Sequence, residues 1–174
     1  SVSRFTLSDA LQADDHDSAA LLRMPDGRYL ASYSKHSNDK LVRWRVSSQP
    51  GEIGSWEPEQ AFAVNPQSSG GTTYSNLYHL SESGDIFNFH REAGPDGGFD
   101  PHYLKWNVAS DTEFSYGGRL LTGPEGNVGN NDRPFVRYTS NDVDRIDFIA
   151  TDAHPRNLLS NSVYHGYLEH EGGG

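Results

Sequence analysis

Two imidazoles, a phenol and a guanidinium stand at matching ends of two similar segments of the chain. The first segment runs from His16 through Asp26-Gly27 to His36, and the second from Tyr74 through Ser83-Gly84 to Arg91. Each reads as a strand, a tight turn closed by glycine, and a returning strand. In an antiparallel ribbon the first residue of one strand lies beside the last residue of the next. The spacing therefore predicts His16 facing His36 and Tyr74 facing Arg91. An imidazole set in Asp14-Asp15-His16-Asp17 suits a general base near neutral pH. A guanidinium can grip a carboxylate with two parallel hydrogen bonds, and a phenol beside it exchanges protons more readily. Plainer readings exist for each residue alone: an exposed loop histidine with acidic neighbours, or a tyrosine packed on an arginine stem. Their pairing across two hairpins favours a site.

A third segment repeats the pattern, with a strand from Arg133, a turn through Asn141 to Asp144, and a return from Arg145 to Asp152. Its flanking loops place Asn131, Arg133, His154 and Arg156 on the same rim, where they join Lys35 and Asn76 as candidate substrate contacts. Pro134 and Pro155 equally suit an ordered loop with no such role. His165 falls on a following strand, away from that rim, while His79, His90, His102 and His170 carry no assignment. Compact catalytic or metal motifs such as HExxH, an EF-hand loop or a Gly-x-Ser-x-Gly elbow are absent. His16, His36 and the nearby aspartates still offer a mixed imidazole and carboxylate donor set. Whether a structural metal sits there is left open by the sequence, and the chemistry sketched above requires no cofactor.

These residues need a scaffold of strands. The chain has 174 residues, enough for one domain with a real core, and no cysteine, which removes disulfides, thiolate zinc sites and thiol nucleophiles. Its 18 glycines, nine tyrosines and eight phenylalanines suit an all-β protein rich in turns. No apolar run approaches the roughly 20 residues of a membrane span. A formal charge of −10 argues against broad phosphate neutralisation, and so against a nucleic-acid partner. The chain opens on Ser1 rather than Met, so an upstream segment is expected to have been removed. Trp44, Trp106 and Tyr164 recur at steps of about 60 residues, a period that fits blades of a β-propeller. The expected architecture is three four-stranded blades at approximately 14–64, 72–122 and 131–174. Known propellers close with about four to eight blades, so the chain is expected to form part of a larger ring.

The stretches Asp15-His16-Asp-Ser-Ala-Ala-Leu-Leu, Pro25-Asp-Gly-Arg-Tyr-Leu-Ala-Ser-Tyr-Ser-Lys-His36, Thr73-Tyr74-Ser-Asn, Asp132-Arg-Pro-Phe-Val and Thr151-Asp-Ala-His-Pro-Arg156 resemble BNR-repeat proteins. More narrowly, they resemble the propeller-type polysaccharide lyases that degrade ulvan, a sulfated algal polysaccharide. The resemblance implies a seven-bladed ring, of which the remaining blades are partners of these three. It also implies a bacterial protein that is secreted or periplasmic, an anionic polysaccharide substrate, and β-elimination at a uronic acid. On that reading Arg91 and His36 hold the uronate carboxylate, His16 takes the C5 proton and Tyr74 protonates the leaving oxygen at C4. Tyr74 as base, or one residue serving both steps, fits equally well. Lys35, Arg91, Arg133 and Arg156 would make the rim locally positive. The aspartate box of sialidases is poorly matched, because Ser48 to Trp56 keeps the serine and tryptophan without the regular aspartate. A sialidase-like glycoside hydrolase and a non-catalytic carbohydrate-binding propeller are the alternatives.

Overall fold

The computed structural model describes residues 3–9, 11–17, 19–36, 38–64, 71–93, 98–122, 133–153 and 160–169. Within them lie three antiparallel meanders and no helix. The first sheet holds β1 (Ala20–Arg23), β2 (Tyr29–Tyr33), β3 (Leu41–Val46) and β4 (Gln60–Ala63) in that order. The second holds β5 (Thr72–Leu80), β6 (Asp85–Ala93), β7 (Phe99–Asn107) and β8 (Ser115–Arg119). β9 (Val136–Ser140), β10 (Arg145–Thr151) and β11 (Val163–Glu169) form the third sheet, which has three strands among the described residues. Consecutive hairpins of this kind follow directly from short turns between strands. The first two turns use glycine at positive φ, Gly27 at 85° and Gly84 at 73°. The third has no glycine. Asp142 takes φ 61°, and the Asn141 side-chain oxygen accepts from the backbone N–H groups of Val143, Asp144 and Arg145.

The sheets stack face to face, and β6 is the strand covered on both sides. All nine of its residues are buried. Successive side chains point to opposite faces, so Ile86 packs with Leu30, Val42, Trp44, Leu77 and Leu104 between the first and second sheets. Phe87 and Phe89 turn the other way, to Leu80 and Ile146 between the second and third. Phe89 stacks on Tyr138 at 4.5 Å, and the Tyr78 hydroxyl donates to the Tyr138 carbonyl at 3.0 Å. The two turns also join, with Ser81 N–H donating to Asp142 O and Glu82 N–H to Val143 O. A polar thread crosses the other interface, where Asn88 Nδ2 donates to Ser32 Oγ at 2.7 Å.

The tryptophans depart from the simple repeat. Trp44 and Trp106 do not face the same way along the stack; both rings meet Phe114 edge-on, at 5.2 and 5.4 Å, in one shared interface. A strand register offset by one residue reverses which face a side chain occupies, so equal sequence spacing did not mean equal orientation. Tyr164, their counterpart on β11, is 52 % exposed, as are Ile149, Val163 and Tyr167 to similar degrees. Among the described residues no helix is long and apolar enough to cross a membrane.

Truncating Phe89 removes a fully buried ring that stitches the second sheet to the third. Phe89→Ala should lower the unfolding free energy by about 3–5 kcal/mol in urea denaturation, whereas Ile149→Ala on the exposed face should change it by less than about 0.5 kcal/mol.

Candidate functional site

His16 and His36 sit in the loops that precede β1 and follow β2, beyond the last paired residues Ala20 and Ser32. Their rings nonetheless stack, with centroids 4.3 Å apart and planes inclined by 23°. One carboxylate gathers them: Asp14 Oδ1 is 2.8 Å from His16 Nδ1, and Asp14 Oδ2 is 3.0 Å from His36 Nδ1. An ionised carboxylate can only accept, so each imidazole carries its proton on Nδ1 and keeps the lone pair on Nε2 when neutral. Hydrogen bonds from His36, then from the backbone and ring of His16, hold the Asp14 carboxyl well below the usual carboxylate range. The backbone is clamped as well. His36 N–H donates to Asp17 Oδ1 at 2.6 Å, Gln12 Nε2 donates to His36 O at 3.0 Å, and Thr73 Oγ1 donates to His16 O at 3.0 Å.

That last bond ties the first sheet's loop to the start of β5, where the phenol lies. Arg91 pairs with Thr73 rather than with Tyr74, and the ladder resumes at Asn76 and Phe89 across a β-bulge. The bulge is what separates the observed pairing from a simple hairpin register. It re-aims one side chain while the strand continues. Tyr74 adopts φ 62°, a conformation costing a non-glycine residue about 1–2 kcal/mol. Asn76 Nδ2 donates to the Tyr74 carbonyl at 2.8 Å and holds the bulge closed. The Tyr74 ring then lies 5.7 Å from His16 and 4.8 Å beneath the Arg91 guanidinium, which also covers Phe99 at 5.2 Å.

Arg91 is only 8 % exposed. Its Nε has no hydrogen-bond partner, and among the described residues no carboxylate pairs with it. Burial pushes the guanidinium down to about 10, an effect that Tyr74 opposes and the charge of Arg133 reinforces. It therefore remains a cation at neutral pH. Leaving such a donor buried and unmatched costs about 1–3 kcal/mol or more, and an incoming anion would return it. Beside Arg91 a cavity of about 150 Å³ opens between the second and third sheets, lined by Tyr74, Asn76, Arg91, Arg137 and Tyr138 among others.

The other sequence candidates separate. Lys35 lies 3.7 Å from Asp39, whose carboxylate also holds Arg43. Arg133 sits close enough for its charge to act on Arg91, and its Nε is buried without a partner. Asn131, His154 and Arg156 lie outside the described residues. His165 bonds Asp147 at 3.0 Å on the exposed face of the third sheet. Arg137, which faces the cavity, escaped sequence reasoning because a single arginine in an alternating strand has no distinguishing mark. A second cluster was also missed. Glu92 Oε2 stands 3.4 Å from His90 Nε2 and 3.7 Å from His102 Nδ1, and the Tyr116 hydroxyl shares a hydrogen bond with His102 Nδ1 at 2.9 Å. His90 and Glu92 share a face of β6 and His102 lies directly across on β7, a proximity visible only once the register is known.

Burial drives His102 down to about 4, against the opposing pull of Glu92. A histidine that is harder to protonate when folded makes the unfolded chain the better proton binder between about pH 6.5 and 4. Stability should therefore be greatest above pH 6.5 and fall as pH drops through that window. His102→Gln should flatten this slope in denaturation curves collected at several pH values.

The chain matches the BNR repeat-containing family over residues 2–173 and belongs to it. No curated protein matches it in sequence. Among solved structures it resembles a polysaccharide lyase, the PL25 ulvan lyase bound to -[GlcA(1-4)Rha3S]-, at a TM-score of 0.61 and 16 % identity, covering 90 % of this chain and 39 % of that one. A second structure of a PL25 ulvan lyase matches at 0.60 and 17 % identity, with coverage of 90 % and 39 %. The chain thus spans well under half the length of these structures. Three stacked antiparallel sheets and these likenesses together define it as a BNR-repeat β-propeller with the fold of a polysaccharide lyase.

Proposed function

We propose that the site binds an anionic polysaccharide and cleaves it by β-elimination at a uronic acid, with a sulfated, ulvan-like polymer as substrate. The observation that carries this reading is Arg91: a buried guanidinium with no carboxylate partner among the described residues, packed on Tyr74, one ring away from His16. A uronate carboxylate supplies the missing counter-charge. Its C5 proton is only weakly acidic, because the carbanion left behind pushes negative charge onto a group already charged. Donors fixed before the reaction stabilise that charge as it grows. Arg91 and the Nε2 end of His36 serve as those donors, with His36 protonated. His16 Nε2 removes the C5 proton, the C4–C5 double bond forms, and the C4–O4 bond breaks as Tyr74 gives its proton to the departing oxygen. Asp14 keeps the lone pair of His16 on Nε2 and stabilises the imidazolium that results.

Further blades of the same ring complete the cleft along which the polymer lies. Arg133 and Arg137 extend its cationic side toward the third sheet, and Asn131, His154 and Arg156 belong to the same proposed rim. A polymer of this kind is met outside the cell or in the periplasm, so the proposal carries that location with it.

Incubation of the protein with a panel of uronate polymers should raise ultraviolet absorbance, since elimination leaves a conjugated unsaturated uronate. A hydrolase would shorten the polymer without that signal, and a binding module would do neither. His16→Ala, Tyr74→Phe and Arg91→Ala should each reduce kcat by about 10²–10⁴-fold, and Asp14→Asn by about 10²-fold, with the fold intact by circular dichroism. Wild-type rates from any two of the first three would remove the assignment.

A further inference from the structure

We propose that Asp14, His16 and His36, joined by Asp15, form a site for a zinc-class divalent cation that shuts the base of the elimination site off. The binding rests on geometry alone, whereas the inhibition rests on the lyase reading above.

One ligand atom from each of Asp14, His16 and His36 lies within 4.8 Å of the others. His16 Nδ1 meets two carboxylate oxygens at once, Asp14 Oδ1 at 2.8 Å and Asp15 Oδ1 at 2.9 Å. One ring proton must be shared between two anionic oxygens, whereas a divalent cation in the same place would meet both. Tetrahedral zinc with bonds near 2.0–2.2 Å sets its ligand atoms about 3.4 Å apart, so the carboxylate–imidazole contacts of 2.8 to 3.0 Å need open only slightly. Two imidazole nitrogens with carboxylate oxygens suit zinc or cobalt. Calcium and magnesium prefer all-oxygen shells. The side chains of His16, His36 and Asp14 are 40, 27 and 28 % exposed, open to an ion from solvent, and Asp15 at 93 % is free to swing in as fourth ligand. Asp17 on the His36 amide and Thr73 on the His16 carbonyl clamp the ligand backbone from outside, the kind of outer support that metal sites use.

Coordination through Nδ1 has a defined chemical consequence. The proton of the neutral His16 ring moves from Nδ1 to Nε2. His36, protonated in the elimination reading, keeps its Nε2 proton and gives up the one on Nδ1. One proton is thus released to solvent per ion bound, and nothing is oxidised or reduced. His16 then presents an N–H donor where elimination needs a lone pair. Metal occupancy and base catalysis are mutually exclusive at this residue.

The 174-residue chain, stripped with a chelator, should be titrated with zinc chloride by calorimetry and with cobalt(II) chloride by visible absorption. One ion should bind per chain, with the intense absorption bands of four-coordinate cobalt. Asp14→Asn and His36→Ala should each weaken binding by more than about tenfold, since even the outer partners of ligands cost that much. His165→Ala should leave affinity unchanged. Zinc should slow uronate cleavage in proportion to occupancy, and excess chelator should restore it. No saturable one-to-one binding, or binding indifferent to Asp14→Asn and His36→Ala, overturns the site and leaves the lyase reading untouched. Stoichiometric binding with undiminished turnover overturns the shut-off and removes His16 as the base.

Discussion

A guanidinium sealed into the middle strand of a sheet needs a counter-charge, and Arg91 has no carboxylate partner among the described residues. β6 is buried along its full length, so the cation it carries is desolvated by the sheets on either side. Aromatic faces of Tyr74 and Phe99 compensate it in part, each such contact being worth about 1–2 kcal/mol when water is excluded. Several neighbouring features follow from this arrangement. The β-bulge turns Tyr74 under the cation, Asn76 locks that bulge, and the cavity beside Arg91 provides room for an anion to arrive.

The site has two electrical poles. On one side Asp14, Asp15 and Asp17 surround the imidazoles; on the other, Arg91 and Arg137 face the cavity, with the charge of Arg133 close enough to act on Arg91. Of the cations expected to make the rim locally positive, Lys35 is drawn to Asp39, and the nearby carboxylates serve the histidines. Such an arrangement reconciles a net charge of −10 with the anionic ligand proposed above. Bulk charge governs solubility and long-range steering, while a locally fixed cation governs recognition. In the proposed elimination the acidic pole orients a base, and the basic pole receives the charge which that base creates.

Much of this was legible from residue types and turn spacing. Glycine turns at Gly27 and Gly84 delimit the hairpins, and alternating aromatics announce buried strands. The four chemistry-bearing residues drew attention because they recur at equivalent ends. Register was harder to read. The bulge that pairs Arg91 with Thr73 leaves no sequence signature, and neither does the arrangement that brings Trp44 and Trp106 to Phe114 in one shared interface. Asp14 was seen as one acidic neighbour among three, because its bridging of two imidazoles depends on loop geometry outside any strand. The His90, Glu92 and His102 cluster was invisible for a related reason: cross-strand neighbours are distant in sequence, and polar residues in a strand ordinarily face solvent.

The proposed pairing of Arg91 with a uronate carboxylate can be tested at the guanidinium itself. In nitrogen-15 side-chain spectra of the protein titrated with a uronate disaccharide, the Arg91 Nε–H signal should move downfield and saturate. The same disaccharide with its carboxylate reduced to an alcohol should leave it in place. Equal responses to both sugars, or a shift confined to Arg133 and Arg137, would contradict the account.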